Sequence, residues 1–331
     1  MLITDGTIRD ERHGQRLTAI TYLNINLMNK YNLITILGPT ATGKTRLASM
    51  LAHNIGGEII SADSRQVYRC MNLGTGKDYD DYKIDNAIVP YHLIDITDAG
   101  THYNVYRFRN DFTAAFRDIT YRNKIPILCG GTGLYIEAVL KTYLFNTAPP
   151  DEKLRKDLEN KTPEELTSIL VSMGKLQSCT DVKNPRRLVR AIETGKYNKP
   201  YLKLLPDLPL INSIIFGVDC GRETRRKNIT ERLKSRLDNG MIEEVKSLIN
   251  TGLKPEQLMY YGLEYKYITL YVTGKLTYIE MFRQLETAIH RFAKRQMAWF
   301  RRMEKQGMKI HWIDGNLPPE ERLNHILDIL Q

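Results

Sequence analysis

The sequence predicts an α/β fold, in which helices flank a parallel β-sheet and a helical subdomain is inserted into the chain. Three observations support this prediction: short apolar segments alternate with helical patterns, a glycine-rich loop joins the first such pair, and one later stretch lacks strand signals. Strands that alternate with helices form parallel sheets covered on both faces. The predicted strands are residues 33–37, 58–62, 91–96, 125–129, 214–218 and 309–313.

The glycine-rich loop reads GPTATGKT and spans residues 38–45. It matches the phosphate-binding pattern G-x-x-x-x-G-K-[ST] and stands between a predicted strand and a helical pattern. Backbone amides at the N-terminus of such a helix converge on a phosphate, and the helix dipole favours the same negative charge. Lys44 is expected to reach the terminal phosphates, and the Thr45 hydroxyl to bind Mg²⁺. The sequence therefore predicts a P-loop core that binds a di- or triphosphate.

A carboxylate follows the second predicted strand. Asp63 stands in the segment SADSRQVYR, just after residues 58–62. In an open parallel sheet this end of the strand lies beside the phosphate loop. Taken alone, Asp63 fits a helix N-cap, a magnesium neighbour or a general base, and the residues leave these alternatives open.

The strand signal vanishes between residues 146 and 206. This stretch opens with Pro149 and Pro150, contains helical patterns at 151–160, 163–173 and 185–194, and ends in a proline-containing loop. We interpret residues 146–206 as a helical insertion within a core formed by residues 31–145 and 207–331. Residues 1–30 are interpreted as an N-terminal extension or a wrongly assigned start, and they receive no function.

Composition and charge narrow the class of protein. The 331 residues carry a net charge of +10 and include 42% hydrophobic residues without an 18-residue apolar run, so no membrane association is expected. The four cysteines are widely spaced and predict neither a zinc site nor a disulfide framework. A cytoplasmic monomer is expected.

Basic residues are concentrated in two segments. Lys and Arg outnumber Asp and Glu more than twofold in residues 183–236 and 276–309, which favours a polyanionic partner. Residues 277–303 form an amphipathic helical pattern whose apolar stripe is predicted to lie in the core. Its basic face is suited to a phosphate backbone.

Six segments together resemble the tRNA dimethylallyltransferases, the isopentenyltransferase family of P-loop proteins. They are GPTATGKT, SADSRQVYR, HLIDI at 92–96, GGTGLY at 130–135, NPRRLVRAIE at 184–193 and AKRQMAWFRR at 293–302. The resemblance runs from about residue 32 to the end of the sequence. It implies transfer of a dimethylallyl group from dimethylallyl diphosphate to the exocyclic amine of the adenine 3′ of the anticodon in tRNA. Diphosphate would be released, Mg²⁺ would be the cofactor, and the anticodon stem-loop would be the part of tRNA that binds.

The resemblance also implies roles for individual residues. Asp63 would be the general base, while Lys44 and Thr132 would assist departure of the diphosphate. The diphosphate site would comprise the loop and two arginines, namely Gly38, Pro39, Thr40, Ala41, Thr42, Gly43, Lys44, Thr45, Arg222 and Arg232. The tRNA site, which receives a flipped base, would comprise Asp63, Ser64, Arg65, Gln66, Thr132, Arg155, Arg186, Arg187 and Arg190.

One position departs from the family pattern. Where the family usually has glycine and tyrosine followed by Arg or Lys, this chain reads Gly262, Leu263 and Glu264. We expect Glu264 to weaken an RNA contact.

Other functions use the same residues. A prenyltransferase that acts on free adenine nucleotides would keep Asp63, Thr132 and the loop, although the basic segments argue against it. A small-molecule kinase would use the loop with Asp63 as the base, but GGTGLY and the context of Asp63 fit prenyl transfer better. A nucleic-acid-stimulated NTPase or a non-catalytic RNA-binding module would keep the basic surface, but such a module needs neither Asp63 nor Thr132.

Overall fold

The structure is a computed structural model that describes residues 7–9, 16–18, 30–141, 151–176, 181–196 and 209–330. The chain divides into two compact units. The core unit contains Met1–Lys141 and Pro209–Gln331, and the helical unit is Thr142–Leu208. Most of the interpreted extension lies outside the described residues. Within it, strands Thr7–Arg9 and Arg16–Thr18 pair antiparallel.

The core unit contains a six-stranded parallel sheet. Its strands are β1 (Leu33–Leu37), β2 (Glu58–Ser61), β3 (Tyr91–His92), β4 (Pro126–Gly130), β5 (Ser213–Asp219) and β6 (His311–Asp314), in the order β6-β5-β1-β4-β2-β3. All neighbouring strands in this sheet pair in parallel. Both β1 and β4 are buried along their whole length, as expected for strands covered on both faces. The predicted fold class is confirmed.

The strand register brings three carboxyl ends to one edge of the sheet. Leu37 at the end of β1 pairs with Gly130 of β4. Ser61 at the end of β2 pairs with Cys129, also of β4. The phosphate loop, Asp63 and Thr132 therefore leave the sheet next to one another.

The described helices are α1 (Lys44–Ile55), α2 (Val105–Tyr121), α3 (Gly133–Leu140), α4 (Glu152–Leu158), α5 (Pro163–Ser172), α6 (Pro185–Lys196), α7 (Arg222–Asp238), α8 (Met241–Asn250), α9 (Pro255–Leu258), α10 (Leu263–Val272), α11 (Tyr278–Lys305) and α12 (Pro319–Leu330). Helices α4 to α6 form the helical unit. None of the helices that the structure describes is both long and apolar enough to cross a membrane.

Helix α11 begins at a reciprocal cap. The Thr277 hydroxyl accepts a hydrogen bond from the Glu280 amide at 3.3 Å, and the Glu280 carboxylate accepts one from the Thr277 amide at 2.8 Å. One face of the helix is buried from Met281 to Met303. The predicted core position is confirmed for Met281, Leu285 and Phe300, whereas Phe292, predicted to lie in the same stripe, is 38% exposed.

The helical unit has its own small apolar core. Six side chains from all three helices form it: Leu154, Leu158, Leu166, Leu170, Leu188 and Ile192. A capping box of Thr162 and Glu165 begins α5. The three helices coincide with the helical patterns predicted from the sequence to within two residues at each end.

The third strand is shorter than predicted. The sequence suggested residues 91–96, but only Tyr91–His92 pair with β2. Leu93 (φ 64°) and Asp95 (φ 56°) have left-handed backbone conformations that interrupt the strand. The following amides of Asp95 and Ile96 donate instead to the carbonyls of Gln66 and Val67, at 3.1 and 2.9 Å. A local apolar pattern does not reveal this competing set of backbone hydrogen bonds.

Candidate active site

The phosphate loop runs from the end of β1 into the first turn of α1. Gly38 packs against β5, where an added Cβ would lie 2.6 Å from the Val218 carbonyl oxygen, so only glycine fits. Ala41 (φ 62°) and Gly43 (φ 75°) adopt left-handed conformations that turn the chain into the helix. The amides of the first turn of α1, which lack partners within the helix, are thereby available to a phosphate.

Lys44 is the first residue of α1. Its Nζ donates a hydrogen bond to the Pro39 carbonyl oxygen at 3.3 Å, so the side chain folds back over the loop. Burial lowers the pKa of the Lys44 ammonium, and Arg232 lowers it further, whereas Cys129 and Asp63 raise it. An anionic diphosphate in the loop would compensate the buried charge.

Asp63 and Thr132 meet beside the loop. Asp63 Oδ1 accepts a hydrogen bond from the Arg65 amide at 2.8 Å, the interaction expected of a cap. Thr132 Oγ1 accepts one from the Ser64 amide at 3.1 Å, and the Thr132 amide donates to the Ala62 carbonyl at 3.2 Å. The turn after β4 is therefore bonded directly to the segment after β2 that carries Asp63.

One of the two predicted arginines reaches the loop. Arg232 Nη1 donates to Thr40 Oγ1 at 3.2 Å, and its Nη2 forms an ion pair with Asp78 at 2.6 Å. Arg236, one turn later on α7, contacts the same Asp78 carboxylate at 3.1 Å. Arg222 is exposed in the first turn of α7, so its role in holding a diphosphate stays a prediction.

The proposed magnesium ligand fits a phosphate-held ion. The described residues contain no group of three or more His, Cys, Asp or Glu side chains arranged to hold a metal. Mg²⁺ commonly binds through one or two protein oxygens together with substrate phosphates and water. The Thr45 hydroxyl, in the first turn of α1, is suited to that arrangement.

Comparison with protein families agrees with this geometry. The model of the IPP transferase family matches residues 66–303, and that of the isopentenyl transferase family matches residues 31–84. The chain belongs to the IPP transferase family. Two named relatives are "tRNA dimethylallyltransferase 2" of Phocaeicola vulgatus, 54% identical over 92% of this chain and 99% of the relative, and "tRNA dimethylallyltransferase 1" of Parabacteroides distasonis, 53% identical over 92% and 99%.

Solved structures show the same IPP transferase architecture. The full-length tRNA isopentenylpyrophosphate transferase of Bacillus halodurans has a TM-score of 0.67 and 31% identity, covering 91% of this chain and 96% of its own. A eukaryotic dimethylallyltransferase acting on tRNA has a TM-score of 0.69 and covers 86% of this chain and 73% of its own. At 22% identity, this second likeness concerns the fold alone.

Glu264 lies near the phosphate loop. This partly exposed side chain lines a small pocket together with Thr40, Arg232 and Arg236. Burial raises the pKa of Glu264, and the two arginines lower it. Glu264 therefore lies beside Arg232 and Arg236, and its effect on an RNA contact stays a prediction.

Two predicted tRNA contacts already have partners within the protein. Gln66 Oε1 accepts a hydrogen bond from Ser61 Oγ at 3.0 Å, and its Nε2 donates to the Gly76 carbonyl at 3.0 Å. The Arg65 guanidinium lies 5.2 Å from the ring centroid of Tyr260, which is partly exposed. Their roles toward a base stay predictions.

Arginines of the helical unit surround a buried carboxylate. Arg155 Nε and Arg190 Nη1 bind the fully buried side chain of Glu193 at 2.6 and 3.0 Å. Arg187 pairs with Asp181 at 3.1 Å on the surface, and Arg186 is exposed. Arg155 and Arg190 therefore have a structural role, because removing either one leaves the buried charge of Glu193 less compensated. Their contacts with tRNA stay predictions.

Sequence reasoning missed several residues of this site. Asp78, Arg236 and Asn228, whose Nδ2 donates to the Ala41 carbonyl at 3.2 Å, carry no local motif. Gln296 lies within the segment AKRQMAWFRR, whose pattern predicts no role for this residue. A polar residue in the buried stripe of an amphipathic helix is a usable signal, and Gln296 shows it between Ala293 and Met297.

Proposed function

We propose that this protein transfers a dimethylallyl group from dimethylallyl diphosphate to the exocyclic amine of the adenine 3′ of the anticodon in tRNA. The observation that carries the proposal is that the phosphate loop, Asp63 and Thr132 follow the carboxyl ends of three neighbouring strands. This arrangement supplies a diphosphate site and a carboxylate within one small region. Membership of the IPP transferase family and the printed names of the relatives support the same reaction.

The cationic side chains and backbone amides around the loop suit the diphosphate of the prenyl donor. Diphosphate oxygens would accept hydrogen bonds from the amides of the first turn of α1 and from Lys44 and Arg232. When the allylic carbon–oxygen bond breaks, its electron pair moves onto the bridging oxygen, where these donors stabilise the growing charge. Mg²⁺ held by Thr45 and the phosphates would neutralise part of that charge.

The acceptor side depends on Asp63. When the adenine amine forms a bond to the allylic carbon, its nitrogen gains a positive charge and must lose a proton to give the neutral secondary amine. Asp63 uses Oδ1 for the Arg65 amide, and Oδ2 is the oxygen that would take the proton. Thr132, which accepts a hydrogen bond from the Ser64 amide, would hold the Asp63 segment beside the bridging oxygen.

Two kinds of acceptor distinguish this proposal from its alternatives. The parent protein should transfer radiolabelled dimethylallyl from its diphosphate to unmodified tRNA and not to AMP. Asp63→Asn should lower the rate of transfer by about 10²–10⁴-fold, while the dissociation constant of the diphosphate changes by less than about threefold, because Asp63 acts chiefly in the transition state. Asp85→Asn is the control, since that side chain is 86% exposed.

Single-turnover rates at saturating tRNA separate the possible results. Label appearing in AMP at a rate similar to that in tRNA would support a nucleotide prenyltransferase. ATP-dependent phosphorylation of a small hydroxyl compound without prenyl transfer would support a kinase. An unchanged rate of prenyl transfer in Asp63→Asn would show that Asp63 is not the general base and acts only as a cap of the following turn.

A further inference from the structure

A single glutamine side chain connects the phosphate loop, which is proposed to bind the dimethylallyl diphosphate, with the turn that lies next to the segment of Asp63. Gln296 lies in α11 and is 7% exposed. Its Oε1 accepts a hydrogen bond from the Thr40 amide of the phosphate loop at 2.9 Å. Its Nε2 donates to the carbonyl oxygen of Gly131, in the turn after β4, at 2.8 Å. Thr40 and Gly131 belong to loops after different strands, and one side chain holds both.

The backbone of that turn is shaped to receive α11. A Cβ at Gly131 would lie 2.4 Å from Gln296 Nε2, and a Cβ at Gly133 would lie 2.4 Å from Cδ1 of Trp299. Gln296 and Trp299 are three residues apart and therefore share one face of the helix. The glycines of GGTG allow this face to lie directly on the turn.

The turn that Gln296 binds is itself hydrogen-bonded to the segment that contains Asp63. Thr132, next to Gly131, binds the Ser64 amide through Oγ1 and the Ala62 carbonyl through its own amide. A continuous series of hydrogen bonds thus joins the phosphate loop, Gln296, the turn and the segment that contains Asp63. Together with the backbone hydrogen bonds of the sheet, this series links the phosphate loop to the segment that carries Asp63.

We infer that Gln296 is a positioning residue that fixes the phosphate loop relative to the turn of Thr132, so that the allylic carbon faces the adenine amine beside Asp63. This inference rests on the proposed function. The Thr40 amide lies ahead of the helix N-terminus that receives phosphate, so Gln296 can bind it while the loop is occupied. A reacting pair displaced by about 1 Å can lose about 10²-fold in rate even when both substrates still bind.

The main test is Gln296→Met, which preserves length and apolar packing but removes both hydrogen bonds. Its matched control is Gln284→Met, at an exposed position of the same helix. Hydrogen exchange at the Thr40 amide, measured without ligand, should accelerate at least about tenfold in Gln296→Met and stay at the parent rate in the control.

Kinetics give the second measurement. For Gln296→Met we expect kcat for prenyl transfer to fall about 10–100-fold, with the KM for dimethylallyl diphosphate within about threefold of the parent. The ratio of diphosphate released to prenylated tRNA formed should rise, because water replaces a misplaced amine. A role in packing alone would not raise this ratio.

A second variant separates the two hydrogen bonds. Gln296→Glu keeps an acceptor for the Thr40 amide but sets a carboxylate oxygen against the Gly131 carbonyl. This variant should retain slow hydrogen exchange at the Thr40 amide, while its kcat for prenyl transfer should still fall. It also tests the inference if Gln296→Met does not fold. Exchange at the parent rate in folded Gln296→Met, or a parent kcat in either folded variant, would overturn the inference. If the parent protein transfers no prenyl group, the proposed function fails, and exchange at Thr40 still tests the bridge.

Discussion

Replacing Glu244 by glutamine should destabilise the segment of residues 72–78, which ends at the Asp78 that pairs with Arg232 and Arg236. Glu244 lies in α8, and its Oε2 accepts hydrogen bonds from the amides of Asn72 and Leu73 at 2.9 and 2.8 Å. Its Oε1 accepts the Gly74 amide at 3.0 Å and the Tyr265 hydroxyl at 2.6 Å. One carboxylate thus satisfies four donors, three of which are backbone amides that cannot reverse their direction.

The cost follows from this geometry. Glutamine offers a single oxygen, so its –NH₂ group must face one of the two pairs of donors. The Tyr265 hydroxyl can rotate to become an acceptor, but the amide of Gly74 cannot, and at least one backbone N–H loses its partner. An unpaired buried donor costs about 1–3 kcal/mol, and the remaining bonds lose the contribution of the charged acceptor. We expect Glu244→Gln to lower the free energy of unfolding by about 2–4 kcal/mol.

Urea unfolding, followed by circular dichroism, measures this difference. The control is Glu243→Gln on the same helix, where an exposed carboxylate lies 3.8 Å from the Lys246 ammonium. Such a surface pair contributes at most about 1 kcal/mol. Because the segment also carries Asp78, which pairs with Arg232 and Arg236, the KM for dimethylallyl diphosphate should rise in Glu244→Gln alone. Equal stability losses for the two variants would refute the reasoning.

Two further predictions concern acid stability and tRNA binding. Hydrogen bonds from Arg122 and His92 hold the pKa of Glu58 at about 2, below its ordinary 4.5, so the stability contributed by Glu58 is present above about pH 4.5 and lost as the pH falls towards 2. Thermal unfolding of Glu58→Gln should depend less on pH in that window, and an unchanged slope would contradict the assignment. Replacing Arg186 and Arg187 together by glutamine should reduce the salt dependence of tRNA binding by about 0.7–0.9 in log–log slope per lost phosphate contact. Filter binding at several salt concentrations measures this slope, with Lys246→Gln as the control. Equal slopes for the double variant and the parent protein would exclude Arg186 and Arg187 as phosphate contacts.

Much of the fold could be predicted from the sequence because its signals are local. The buried strand β1, the loop of residues 38–45 and the start of α1 are consecutive, so glycine spacing and apolar runs reveal them together. Asp63 was found in the same way, since a carboxylate after a parallel strand belongs to the same sheet edge as the loop. The roles assigned to Arg222 and to the arginines of the helical unit stay predictions.

The parallel α/β core, the phosphate loop and the family can be recognised in the sequence, because each depends on residues that are close together in the chain. The distant side chains that complete the site are identified only from the three-dimensional packing. The Gln296 side chain binds the Thr40 amide, which lies 256 residues earlier in the chain, and Glu264 lines a pocket together with Arg236 and Thr40. The strand at Tyr91–His92 ends early because its backbone bonds to residues 66 and 67. Such partners depend on how α11 packs against α3, α7 and α10. The periodicity within one segment holds no information about which other segment it will contact.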